Sequence, residues 1–111
     1  MSQWKVLTRY TSLLPDETWT VESWKQKHLI DTNNQAFLDS VTAHGTDNNL
    51  LGTSPPVYEL VDNVMYNTKY FASKDAYEQF GLRIRKLQAD LNSGIKSYPF
   101  TRDIIDQREV D

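Results

Sequence analysis

Two β-type runs, Val57-Tyr58-Glu59-Leu60-Val61 and Val64-Met65-Tyr66-Asn67-Thr68-Lys69-Tyr70-Phe71, meet at Asp62-Asn63. Runs rich in Val, Tyr, Phe and Thr and joined by two turn-forming residues read as a β-hairpin. The second run leads directly to Ser73, an N-cap residue, with Asp75 placed to favour the positive end of a helix dipole. Tyr77, Phe80, Ile84, Leu87 and Leu91 then recur at spacings of three and four, one apolar face over four turns. A β-β-α unit of this kind is half of a small α+β sandwich.

The flanking segments complete it. Trp4, Val6, Thr8 and Tyr10 alternate with Lys5, Leu7, Arg9 and Thr11, the pattern of a strand with one face buried. Residues 18–24 are expected to start irregular or extended and to pass into helix, with Val21, Trp24 and His28 on one helical face. Asp31 or Thr32 can cap a further helix running to Ala43, with Ala36, Phe37, Leu38 and Val41 as its apolar stripe and a stop at Gly45. Residues 46–56 form a loop around Leu50 and Leu51. Asn92-Ser93-Gly94 ends the last helix, and residues 95–101 resume an extended pattern that Pro99 restricts to an edge. Residues 102–111 read as an acidic tail, either loose or docked as a turn of helix, outside a domain of residues 1–101.

The resulting order, β-α-β-β-α-β, predicts a ferredoxin-like fold: a four-stranded antiparallel sheet with two helices on one face. Neither alternate set of the hairpin strands is purely polar, as Val57-Glu59-Val61 and Tyr66-Thr68-Tyr70 show. A sheet with one solvated face alternates more cleanly, so a homodimer is expected.

From Val57 to Phe80 the chain resembles antibiotic-biosynthesis-monooxygenase-like domains. The resemblance rests on Tyr58-Glu59-Leu60-Val61-Asp62, on a strand ending Tyr70-Phe71-Ala72-Ser73, and on Lys74-Asp75-Ala76-Tyr77-Glu78-Gln79-Phe80. It implies ferredoxin-like units that pair through their sheets as a dimeric α/β barrel. The haem-degrading members carry a histidine ligand at their second helix, and this chain has no histidine after His44. The position often filled by Trp at the end of the third strand holds Tyr70-Phe71. The opening Trp4-Lys5-Val6-Leu7-Thr8-Arg9-Tyr10-Thr11 resembles the start of short uncharacterised proteins from tailed phages of marine cyanobacteria, a likeness that implies no activity.

Composition narrows the chemistry. Without cysteine there are no disulfides, thiolates or Cys-type zinc sites. His28 and His44 are the only imidazoles and have no acidic or histidine neighbours at ligand spacing, so no metal or cofactor is expected. A net charge of −3, and a strand 64–71 without a basic-Gly-aromatic opening, argue against nucleic acid. Arg83, Arg85 and Lys86 read as a solvated helix face. No run reaches the roughly 20 apolar residues of a membrane helix. Met1-Ser2-Gln3-Trp4 lacks the features of a signal peptide, so a cytoplasmic protein is expected, in a host cytoplasm or virion if phage-encoded.

Two functions follow. One is a small non-enzymatic accessory or interaction protein, with a protein partner beside its own copy. The other is a cofactor-free monooxygenase-like enzyme holding a small aromatic molecule between sheet and helices. Its candidate pocket is Trp19, Trp24, His28, Tyr66, Asn67 and Tyr70. The two are told apart by whether those side chains enclose a cavity of about 300 Å³ or more or fill a core.

Overall fold

The computed structural model describes residues 2–29, 35–90 and 99–111. Seven elements follow one another: β1 (Gln3–Ser12), α1 (Val21–Lys27), α2 (Gln35–Asp47), β2 (Val57–Val61), β3 (Val64–Phe71), α3 (Lys74–Asp90) and β4 (Phe100–Val110). The strands form one antiparallel sheet in the order β2-β3-β1-β4. The fold class is α+β with three helices, one more than the sequence reading counted.

The hairpin forms as its turn residues require. Asp62 and Asn63 have φ of 49° and 62°, the left-handed pair that matches the twist of a two-residue connection. In register, Tyr58 faces Asn67 and Leu60 faces Met65, while Trp4 faces Phe71 and Tyr10 faces Met65. These partners share one side of the sheet, and all three helices pack there.

Two apolar clusters fill that side. Val6 and Phe71 meet Phe37 and Leu50, together with Ala76, Phe80, Ile84 and Leu87 of α3. The stripe read from sequence is therefore the packed face of α3, with Leu91 and the following stop outside the described residues. Ser73 caps α3 by accepting from the Ala76 amide at 3.0 Å. At the other end, Tyr10 and Met65 pack with Trp19 and Trp24. Helix α1 begins at a reciprocal box in which Thr20 and Ser23 bond each other's backbone, satisfying two amides the helix leaves free.

Several boundaries move. The residues expected to cap α2, Asp31 and Thr32, lie outside the described residues. Helix α2 passes through Gly45 and ends at Asp47. Gly45 is there because a side chain would collide with Leu51: a Cβ would sit 2.5 Å from the Leu51 Cγ. Within the stripe assigned to α2, Phe37 is buried but Ala36 is exposed. Leu50 and Leu51 do pin their loop, Leu50 in the core and Leu51 bridged to Phe71.

The acidic tail is the largest correction. Residues 102–110 belong to β4, an 11-residue edge strand paired along the whole of β1. Its register slips between Leu7 and Thr8: Leu7 faces Asp106 and Thr8 faces Ile104, so Ile105 is an extra, bulged residue. The bulge puts two isoleucines side by side and breaks the period of two. Residues 101–109 are also all exposed, so no buried row marks the strand in the sequence.

Candidate functional site

The residues proposed to line a pocket divide between the two sides of the sheet. Trp19, Trp24 and His28 come together at the second cluster. The His28 ring lies 4.5 Å from that of Trp19 and 4.3 Å from that of Trp24, edge to face in both cases. Tyr10 and Phe100 close on Trp24, each at 5.7 Å. Rings at these separations are in contact, and Trp24 and His28 have no exposed surface. The Nε2 of His28 lies 3.1 Å from the Ser12 hydroxyl, which ties the end of α1 to the end of β1. Asn63 holds the entry to α1, accepting from the Trp19 amide at 3.1 Å and donating to the Glu17 carbonyl at 2.8 Å.

This arrangement is a filled core rather than a cavity, and it is not fully satisfied. Among the described residues, the buried indole nitrogens of Trp19 and Trp24 meet no acceptor. Asn67 lies on the same side of the sheet, between Thr8 and Tyr58 in the register, with its Oδ1 also buried and unpaired. Burial, reinforced by Tyr10, raises the pKa of the Tyr58 phenol, and the Lys25 ammonium sits 4.6 Å from its ring centre. Tyr66 and Tyr70 alternate with Asn67 along β3 and project from the opposite side. No single pocket contains all six.

Two clefts touch the group only at its margins, one at Trp19 and the other at Tyr70. One, of about 230 Å³, opens beside Trp19 and is lined by Thr11, Leu14, Pro15 and the hairpin turn. A larger one, about 320 Å³, lies between α2, the loop 51–56, Lys69 and Phe80. It holds no Trp, Asn67 or His28. Lys69 was not among the candidate residues, yet the alternation of Met65, Asn67, Lys69 and Phe71 already put it on the helix side.

Opposite the helices, the sheet presents Lys5, Leu7 and Arg9 from β1 and Val64, Tyr66, Thr68 and Tyr70 from β3, with Val57, Glu59 and Val61 from β2. None of these is buried, and Val57 and Val61 are 51% and 44% exposed. From β4 the same side carries Asp103, Asp106 and Arg108. The Arg9 guanidinium meets the Asp103 carboxylate at 3.3 Å and Arg108 meets Asp106 at 3.4 Å. Among the described residues, no element covers this face.

Also among the described residues, no three His, Asp or Glu side chains gather as a metal-ligand set, and no helix is long and apolar enough to cross a membrane. Compared with protein-family models, with curated proteins and with solved structures, the chain matches none.

Proposed function

We propose that the protein is a small non-enzymatic interaction protein whose working form is a homodimer, with the helix-free faces of two sheets laid together. The observation that carries this reading is the composition of that face. Leu7, Val57, Val61, Val64, Tyr66 and Tyr70 form an apolar and aromatic centre on a side of the sheet that no helix covers. Charges are interleaved with them, Glu59 and Arg9 flanking Tyr66 in the register, and Lys5 and Arg108 with Asp103 and Asp106 completing three of each sign. A face with both signs in equal number suits a second copy of itself turned by half a rotation, whereas a nucleic acid asks for one sign.

The strand order β2-β3-β1-β4, antiparallel throughout, supports a ferredoxin-like unit with α1 as an added helix. Two such sheets paired face to face would make the dimeric α/β barrel expected from the sequence. The contact among Trp19, Trp24 and His28 weighs against an oxygenase pocket, because the space a substrate needs is taken by the rings themselves.

Tyr66→Asp tests the reading. It puts a carboxylate at the centre of the proposed interface, so the variant is expected to sediment as a monomer while retaining its helical circular dichroism. A variant with an unchanged mass would remove this face from the interface.

A further inference from the structure

Lys69 occupies an unusual position for a lysine. In register it pairs with Val6, which is 2% exposed, and it lies on the side of the sheet that carries the core. Its stem runs among apolar side chains, and its ammonium stands 4.5 Å from the centre of the Phe80 ring and 5.8 Å from that of Phe71. No carboxylate of the described residues comes within ion-pairing distance of it. Burial accordingly lowers its pKa, with no anionic neighbour to raise it again. Most buried or half-buried lysines in proteins have such a partner.

The cleft of about 320 Å³ lies at this point. Its walls divide by chemistry. Val41, Leu51, Pro55 and Phe80 give an apolar surface, while Thr42, Thr53, Ser54 and Lys69 make up the polar part of the lining. The walls are held in place. Gly52 donates to the Tyr70 carbonyl at 3.0 Å, and Gln3 bonds Ser54 twice, its Nε2 donating to the hydroxyl at 3.0 Å and its Oε1 accepting from the amide at 3.1 Å. A side chain at position 52 would place its Cβ 2.3 Å from the Gln3 oxygen, so glycine is what lets the loop close on the sheet.

We propose that this cleft binds a small carboxylate with an apolar body, its carboxylate on the Lys69 ammonium and its hydrocarbon or ring against Val41, Leu51 and Phe80. The single positive charge matches a monoanion. A phosphate dianion calls for several cations or a nest of amides, and among the described residues the cleft has one lysine and no arginine. The volume is at the lower end of ligand pockets, the size for a one-ring acid or a short aliphatic acid. The site is on the helix side of the sheet, so it stands whether or not two copies pair through the other face.

The experiment is an amide chemical-shift titration of the full chain with benzoate, with neutral benzamide, and with inorganic phosphate at matched ionic strength. Benzoate is expected to shift Gly52, Thr53, Ser54 and Tyr70 along one saturating curve. Benzamide is expected to bind about tenfold more weakly, because it lacks the charge-assisted bond. Lys69→Met keeps the stem and removes the charge, and is expected to lose the same factor. The inference is overturned if benzoate causes no saturable shift at the cleft, if benzamide or phosphate binds as well as benzoate, or if Lys69→Met binds benzoate unchanged. The first two comparisons use the natural sequence, so they decide the matter even if the variant fails to fold. A lysine that serves only to cover Phe80 gives the first of these negative results.

Discussion

The two faces of the sheet are built from alternate residues of the same strands, and they differ in what covers them. On the helix side of β1, Val6, Thr8 and Tyr10 are all buried, opposite Lys69, Asn67 and Met65 of β3. On the other side, Lys5, Leu7 and Arg9 stay half-buried, shielded only by their neighbours in the sheet. Yet the second face is not the polar surface that solvent alone would favour. It keeps leucine, valine and two tyrosines at its centre. The contrast teaches that burial within one chain accounts for one face and leaves the composition of the other to the pairing proposed above.

The largest expected effect comes from the covered face. Leu87 is 8% exposed and packs α3 onto Val6 and Phe71. Leu87→Asp removes roughly 1.5–3 kcal/mol of apolar burial and adds the desolvation of a carboxylate, against a total stability of only ~5–15 kcal/mol. The variant is expected to lose its cooperative thermal transition. Tyr66→Asp, the same change of character on the other face, sets a carboxylate opposite Glu59 in an interior strand and should cost about 1–2 kcal/mol, leaving the monomer with a cooperative transition. If both variants unfold alike, the two faces are equivalent and the comparison fails.

The glycines of the helices sharpen it on a smaller scale. At Gly45 a methyl group would enter space held by Leu51, so Gly45→Ala is expected to cost about 1–3 kcal/mol through overpacking. At Gly81 a Cβ would meet no atom within 4 Å. The helix there gains from lost backbone freedom in the unfolded chain, and Gly81→Ala is expected to stabilise by up to about 1 kcal/mol. Chemical denaturation of the two variants beside the natural chain gives both signs in one experiment.

Lys69 is the exception on the covered face, and it titrates in a stated direction. Desolvation of roughly 1–3 kcal/mol is partly offset by its contact with Phe80, worth ~0.5–2 kcal/mol. Lys69→Met is therefore expected to raise stability by no more than about 1 kcal/mol near pH 7. The folded-state pKa lies below the ordinary 10.5, so the folded chain sheds this proton first. The penalty fades as pH rises towards 10.5, and the advantage of the variant should shrink over that interval. Tyr58 acts in the opposite sense in both proteins: its raised pKa favours the neutral phenol, a contribution kept below pH 10.0 and lost above it. Denaturation at pH 7 and pH 10 separates the two, since only the Lys69 term differs between the proteins. An advantage that grows with pH would contradict the assignment.

How much of this was legible in the sequence varies with how strongly burial imposes a period. The β2–β3 hairpin and α3 were, because Tyr58, Leu60 and Met65 alternate into the core and Tyr77, Phe80, Ile84 and Leu87 recur once a turn. Strand β4 was not. It lies at an edge beyond the helices, and the Ile105 bulge interrupts its alternation, so nothing in its composition separates it from a charged tail. Helix α1 was half visible: Trp24 and His28 fit its face, but seven residues are too few for a clear period. The candidate pocket suffered from a different ambiguity. Spacing puts Trp24 and His28 on one helical face and the fold brings Trp19 against them, but aromatic content does not distinguish rings that line a space from rings that fill it. Tyr66 and Tyr70 were added to that group although Asn67 between them fixes them to the opposite side. The same parity places Lys69 on the helix side, but parity alone does not show that a cleft opens beside it.

The measurement that bears most directly on the account is the mass of the natural chain in solution, by sedimentation equilibrium at low micromolar concentration. The account predicts a particle of twice the 12.9 kDa chain, reduced to one chain by Tyr66→Asp with its fold intact. A natural chain that sediments as a 12.9 kDa monomer throughout that range would contradict it.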